Sequence, residues 1–70
     1  MTMAEFVKAI ELERFRMGMG VVEFAKYLGI HYHTYQSFRM NDRSTTPKIF
    51  KILLDFAQSK GIKTNELEMD

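Results

Sequence analysis

The 70-residue sequence predicts a small all-α domain. Apolar residues recur at the three- and four-residue spacing of amphipathic helices, and no segment shows the sustained alternation of a β-strand. Glycine, proline and clusters of polar residues separate these stretches and mark where each helix should end. A chain of this length is at most one domain. We therefore expect a single domain over residues 1–70, built from four helices and a final short helical turn.

The first predicted helix begins after Thr2, whose hydroxyl can cap it, and runs to about Met17. Its inward face carries Met3, Phe6, Val7, Ile10 and Met17, with Leu12 and Phe15 beside them. Gly18 and Gly20 then interrupt the pattern, because glycine adopts turn conformations at little cost.

The second predicted helix covers residues 21–28, and Gly29 follows at the position of a left-handed C-cap. The third runs from about His31 or Tyr32 to Arg39. Two aromatic residues three positions apart should face the interior, Tyr35 and Phe38.

The fourth predicted helix follows a polar loop at residues 41–45. Thr46–Pro47 are typical of a helix start, and the helix should end near Ser59. Its apolar residues spread widely around the helix axis, which indicates the central, most buried element. Gly61 should stop this helix, and a final short turn is predicted at residues 64–67.

The net charge of +1 is unevenly distributed. Residues 14–51 hold seven lysines or arginines against two acidic residues, a net charge of +5, whereas residues 1–13 and 52–70 each carry −2. A basic centre between acidic ends suits a polyanionic partner. Chance clustering of solvated charges explains the same pattern, and charge alone does not choose between the two.

The residues that several classes of function require are missing from this sequence. Without cysteine no disulfide or zinc–thiolate site is possible, and no apolar run is long enough to span a membrane. There is no P-loop, no serine–histidine–aspartate pattern and no pair of carboxylates in an apolar setting. We therefore expect no enzyme activity, no cofactor, no small-molecule substrate and no membrane partner. The lack of cysteine also fits a reducing compartment, and we expect a cytoplasmic protein.

Two histidines in the run GIHYHTYQSFR raise the question of a metal site. If both were helical, His31 and His33 would point about 200° apart and could not bind one ion. No cysteine, and no nearby aspartate or glutamate, would complete a set of ligands. We therefore expect no metal at this place.

The second and third predicted helices have a spacing typical of a helix-turn-helix unit, at about residues 21–39. Two short helices that cross steeply need a small residue at the crossing, which Ala25 supplies, and a glycine in the turn, which Gly29 supplies. The apolar positions after the turn and on the inner face of the following helix are occupied by Ile30, Tyr35 and Phe38.

With these residues the chain resembles the phage-repressor (Cro/repressor-like, or XRE) helix-turn-helix family. The similarity runs over roughly residues 10–67 and includes the segments GMGVVEFAKYLGIHYHTYQSFR and PKIFKILLDFAQSKGIKTNEL. It implies a compact five-helix domain of the lambda-repressor-like type and a transcription regulator that binds double-stranded operator DNA. The implied partners are a palindromic operator and a second copy of the chain, because the family usually binds as a homodimer.

Two pairs of positions depart from the family pattern. Gly20–Val21 stand where the family often has Ser-Gln, whose glutamine contacts phosphate. Phe38–Arg39 stand where a Trp-Glu pair is common. One expected DNA contact is therefore missing, and Arg39 adds a positive charge where the family usually has a negative one.

The resemblance also implies which residues meet DNA. Those at the start of the third helix and one turn later would contact base edges in the major groove, namely His31, Tyr32, His33, Gln36 and Ser37. Gln36 could bond adenine at N6 and N7, a histidine could donate to guanine, and the Tyr32 ring could touch a thymine methyl group. Contacts that position the protein on the DNA backbone would come from Lys26, Arg39, Asn41, Arg43, Thr45, Thr46 and Lys48.

A second hypothesis uses the same fold for a protein-interaction module, such as an antirepressor or an antitoxin-like partner. The small overall charge and the apolar Val21 slightly favour it. A dimer surface could form on the first helix or around residues 62–69, and the sequence does not choose between them.

Overall fold

The computed structural model describes residues 2–40 and 45–64, and these residues form four α-helices and no strand. The helices are α1 (Met3–Arg16), α2 (Val21–Leu28), α3 (Tyr32–Arg39) and α4 (Pro47–Ser59). The all-α prediction is confirmed, and the radius of gyration of 11.0 Å matches the value of about 11 Å expected for a compact chain of this length. The short turn predicted at residues 64–67 lies outside the described residues from position 65 onward.

Threonine side chains cap α1 and α4 at the predicted positions. Thr2 Oγ1 accepts the Glu5 N–H at 3.2 Å, and the Glu5 carboxylate accepts the Thr2 N–H at 2.9 Å, which completes a capping box. Thr46 Oγ1 accepts the Ile49 N–H at 3.3 Å, and Pro47 is the first helical residue of α4. Both helix starts are therefore set by local sequence, since these bonds satisfy N–H groups that a first turn leaves open.

Helices α2 and α4 end in the same way. Gly29 and Gly61 both adopt φ = 78°, the left-handed region that costs glycine little. The isoleucines that follow, Ile30 and Ile62, donate their N–H to the carbonyl five residues earlier at 3.0 Å, and both pack against the core. The turn at Gly29–Ile30 therefore fixes the direction in which the chain enters α3.

The core is built mainly from aromatic rings. Its most completely buried side chains are Phe6, Ile10, Phe24, Tyr35, Phe38 and Leu53. Phe24 of α2 meets Tyr35 of α3 and Phe56 of α4 edge to face, with ring centroids 5.2 Å apart in each pair. Such geometry suits the ring quadrupoles. Because Phe24 contacts both neighbouring helices, it joins α2, α3 and α4 at one point.

Not every apolar residue of α1 is covered by the described chain. Leu12 and Phe15, placed by the sequence beside the inward face, are 52% and 76% exposed. They are three positions apart and so share the outer face of the helix. No helix in residues 2–40 or 45–64 has the length and apolar character needed to cross a membrane.

Candidate nucleic-acid interface

Helix α3 turns one side to the core and the other outward. Tyr35 and Phe38 are buried, as their spacing predicted. The predicted base-contacting residues divide into exposed His31, Tyr32 and His33 and partly buried Gln36 and Ser37. No acidic residue lies on α3 to repel a phosphate backbone. The outward edge of α3 is therefore both accessible and free of negative charge.

His31 is the N-cap of α3 and is not a helical residue. Its backbone is extended, with φ = −73° and ψ = 144°, and its Nδ1 accepts the His33 N–H at 3.2 Å. The prediction that the two imidazoles point about 200° apart was wrong, because it assumed a helical His31. The rings instead stack, with centroids 5.0 Å apart and planes 15° apart.

The N-cap bond also settles which groups His31 offers to a ligand. In a neutral imidazole whose Nδ1 accepts a hydrogen bond, the proton is on Nε2, which is then a donor. Tyr32 lies between the two histidines in sequence, and its ring centroid is 4.1 Å from that of His33. The start of α3 is thus an exposed group of three rings that carries hydrogen-bond donors. Within the described chain, no cluster of three or more histidine, cysteine, aspartate or glutamate side chains could hold a metal ion.

A cleft of about 240 Å³ separates the outer edge of α3 from the start of α4. Four of its six lining residues carry a hydroxyl group, and the lining residues are His33, Thr34, Ser37, Thr45, Thr46 and Ile49. Two residues predicted to contact the DNA backbone, Thr45 and Thr46, therefore lie beside two predicted to contact bases, His33 and Ser37. A hydroxyl can donate and accept a hydrogen bond, so this lining suits an anionic group with several oxygen acceptors.

The N-terminus of α4 adds positive potential beside this cleft. A helix of 13 residues carries the equivalent of roughly half a positive charge at this end, and α4 has no acidic residue in its first turn. Lys48 is exposed there, and Lys26 is exposed on α2. Neither lysine forms an ion pair with another described residue. Two further predicted backbone contacts, Asn41 and Arg43, lie outside the described residues.

A cluster around Glu11, which the sequence analysis did not identify, connects α1 to α3. Glu11 accepts hydrogen bonds from Arg14 Nε at 2.6 Å, from the Tyr35 hydroxyl at 2.7 Å and from Arg39 Nε. Arg14 also donates through Nη1 to the Met19 carbonyl at 2.7 Å. One carboxylate therefore holds two guanidinium groups and a phenol, and it connects α1 to α3 and to the turn before α2.

The surroundings of Glu11 shift the acidity of the groups it contacts. Burial raises the pKa of Glu11, but the hydrogen bonds from Arg14, Tyr35 and Arg39 outweigh it, so the pKa lies below its ordinary value. Burial, together with the bond to the negatively charged Glu11, raises the pKa of Tyr35 well above the range of an ordinary tyrosine. Glu11 is therefore ionised and Tyr35 is neutral at neutral pH.

Arg39, a predicted DNA-backbone contact, is engaged within the protein. Besides its bond to Glu11, it donates through Nη1 to Gln36 Oε1 at 2.5 Å, and its side chain is 33% exposed. Gln36, a predicted base contact, is thereby joined to α1 through Arg39. The available signal was the positive charge next to the buried Phe38, because an arginine close to the core favours an acidic partner, and Glu11 is that partner.

Comparisons with protein-family models, with curated proteins and with solved structures gave no match to this chain.

Proposed function

We propose that the protein is a sequence-specific regulator that binds double-stranded DNA, of the small phage-repressor type. In this proposal the chain adopts the five-helix lambda-repressor-like fold, and α2 and α3 are its helix-turn-helix unit. The observation that carries the proposal is the outward edge of α3, with three exposed rings beside a hydroxyl-lined cleft. The major groove, roughly 12 Å wide, admits an α-helix, whose diameter with side chains is about 10–12 Å.

The two sides of the cleft have different parts in the proposed complex. The outer edge of α3 enters the major groove, where His31 Nε2 and the Gln36 amide meet base edges. The start of α4 holds a backbone phosphate, because the helix dipole, the Lys48 N–H and the hydrogen of the Thr46 hydroxyl favour an anion, while the Thr46 oxygen accepts the Ile49 N–H. Lys48 extends this contact along the backbone. Such contacts set the register of α3 but carry no sequence information.

A second copy of the chain completes the proposed binding unit. A module of this size covers little DNA, and specific affinity at physiological salt usually requires more contact area. Two copies related by a twofold axis would contact a palindromic operator, with their α3 helices about 34 Å apart on successive major grooves. The exposed Leu12 and Phe15 on α1 are candidate residues for the contact between copies.

The same exposed apolar residues favour the second candidate function. A module that binds another protein would use the outer face of α1, where Phe15 is 76% exposed, and would leave α3 without a ligand. An antirepressor or an antitoxin-like partner is a function of this kind. The two candidates differ in which helix face is covered in the complex.

Selection of bound duplexes from random DNA, using the full chain, tests the proposal. An enriched motif with twofold symmetry is expected, since a twofold dimer contacts two inverted half-sites. The salt dependence of binding to that motif supplies a second measurement, because contacts to Z phosphates give a log–log slope near about −0.9Z. Selection that returns no motif, together with binding to the random duplexes that depends little on salt, would refute a DNA-binding function and leave the interaction module.

A further inference from the structure

The side chain of Gln36 is held by a chain of hydrogen bonds that begins on another helix. Glu11 on α1 accepts from Arg39 Nε, and Arg39 Nη1 donates to Gln36 Oε1 at 2.5 Å. Arg39 and Gln36 are three residues apart on α3, whereas Glu11 and Arg39 are 28 residues apart in the sequence. The position of the Gln36 amide thus depends on a carboxylate from α1.

This chain of bonds fixes which end of the amide is available to a ligand. A guanidinium has only N–H donors, so the amide atom that faces Arg39 must be the carbonyl oxygen. The bond from Nη1 is charge-assisted because the guanidinium is positively charged. Its direction is fixed because Glu11 accepts a hydrogen bond from Nε of the same guanidinium. The carbonyl oxygen keeps a second lone pair, but it lies beside the positively charged guanidinium, which disfavours a further donor such as a base amino group. The amide NH2 group, with its two donors, is therefore the end better suited to a base edge.

A donor pair matches one base better than the others. In the major groove guanine presents two acceptors, N7 and O6, whereas adenine presents one acceptor and the N6 amino donor. The usual glutamine–adenine pair needs the amide oxygen as acceptor for N6. In this protein, adenine in that pose would bring its N6 amino group beside the Arg39 guanidinium, and two groups that carry only donors would then face each other. Guanine would instead bring its N7 and O6 acceptors to the amide NH2 group.

We infer that Gln36 recognises guanine and that Glu11, through Arg39, is the positioning residue for this specificity. The inference rests on the proposed DNA-binding function and changes the expectation for Gln36 from adenine to guanine. Glu11 touches no DNA in this account. It acts by holding Arg39 in the orientation that turns the Gln36 oxygen away from the base.

The test uses selection from random duplexes with the full chain and three variants. Gln36→Ala locates the base pair that Gln36 contacts, as the position whose preference disappears. Glu11→Gln removes the charge that anchors Arg39, and Glu13→Gln is the matched control. Glu13 lies on the same helix, its loss changes the net charge equally, and its partner is Arg16 rather than Arg39.

At the position located by Gln36→Ala, the wild-type chain should prefer guanine to adenine by about 5- to 150-fold, the range of a good two-bond contact. This ratio should fall towards one in Glu11→Gln and stay at the wild-type value in Glu13→Gln. Arg39→Met, which leaves Arg14 and Tyr35 bound to Glu11, should lose the preference as well. It provides the same comparison if Glu11→Gln folds poorly.

Three results would overturn the inference. Adenine at that position in the wild-type motif would show that the amide oxygen is available to the base. Guanine retained by both Glu11→Gln and Arg39→Met would show that α1 has no part in positioning Gln36. An unchanged motif in Gln36→Ala would show that this residue contacts no base. In each of these cases an enriched motif is still present, whereas failure of the proposed function gives no motif in any chain.

Discussion

At the scale of single residues, Phe38 is the clearest case of a side chain whose environment sets its role. It is 1% exposed and meets Phe6 of α1 edge to face, with ring centroids 5.7 Å apart. Phe38→Ala should lower the free energy of unfolding by about 3–5 kcal/mol, because it removes transfer energy and leaves a cavity. Urea titration of both chains measures the change.

Phe15→Ala is the matched control for that substitution. Phe15 is 76% exposed, so the same change of side chain should alter the free energy of unfolding by no more than about 0.5 kcal/mol. Equal effects of the two substitutions would mean that α3 does not pack on α1 as described.

Lys48 makes a second prediction at this scale, for the proposed complex with DNA. It is exposed at the start of α4 and forms no ion pair with other described residues, so it is available to phosphate. Lys48→Ala should weaken binding to all duplexes similarly and reduce the log–log salt slope by about 0.9. Affinity measured from low to moderate salt gives the slope.

Lys63→Ala removes the same charge from the segment that follows the C-terminal end of α4, and the two ends of this 13-residue helix are about 20 Å apart. It should leave the slope unchanged. If the two variants lose slope equally, the start of α4 is not the phosphate contact.

Single residues also show what the sequence could and could not predict. The spacing of Tyr35 and Phe38 was enough to place them in the core, because burial follows the helical period. The partner of Tyr35 is Glu11, which lies 24 residues away, and no periodicity relates two such positions. The cluster depends on three long side chains from different turns that meet one carboxylate, and only the packed helices show it.

At the scale of helices, the Glu11 cluster is the polar connection between α1 and α3. The pKa of Glu11 is lower in the folded protein than its ordinary value of 4.5, so its contribution to stability is present above about pH 4.5 and is lost as the pH falls further. The urea midpoint of the wild-type chain should therefore fall steeply below that pH. Glu11→Gln should be less stable at pH 7 and converge with the wild type in acid.

Glu13→Gln separates this effect from a general change of charge, since it removes the same charge from α1 and should keep the steep acid limb. The measurement is the urea midpoint at each pH from 7 to 3. A Glu11→Gln curve parallel to that of the wild type over the whole range would disprove the role assigned to the cluster.

The predicted helix ends lie within one residue of the observed ends, because nearby side chains and glycines determine where each helix begins and ends. Thr2 and Thr46 supply hydroxyl caps, and Gly29 and Gly61 supply left-handed ends. His31 was the exception in this respect. Its Nδ1 accepts the His33 N–H, so His31 occupies the N-cap position and is not helical. In this position its ring lies next to the ring of His33.

At the scale of the whole molecule, ion pairs neutralise much of the charge of the basic middle segment. Of the seven basic residues in 14–51, three pair with carboxylates of α1 and one pairs within α4, and these pairs are Arg14–Glu11, Arg39–Glu11, Arg16–Glu13 and Lys51–Asp55. The net charge of +5 in residues 14–51 therefore does not produce a surface patch with a charge of +5. Among the described residues of this middle segment, positive potential outside these pairs comes from Lys26, Lys48 and the start of α4.

So modest a positive surface gives one copy few phosphate contacts, which makes the arrangement of two copies on DNA decisive. The molecule measures 28 × 25 × 17 Å along its principal axes, so the centres of two copies set side by side along a longer axis are about 25–28 Å apart, which is comparable with the roughly 34 Å helical repeat. Half-sites centred 10–11 base pairs apart should therefore bind best.

Inserting five base pairs turns the half-sites to opposite sides of the duplex, and affinity should fall to that of an isolated half-site. Titration of duplexes with each spacing, and of a single half-site, makes the comparison. Affinity that does not depend on spacing would mean that each copy binds alone, and that the exposed outer face of α1 is covered by some other partner.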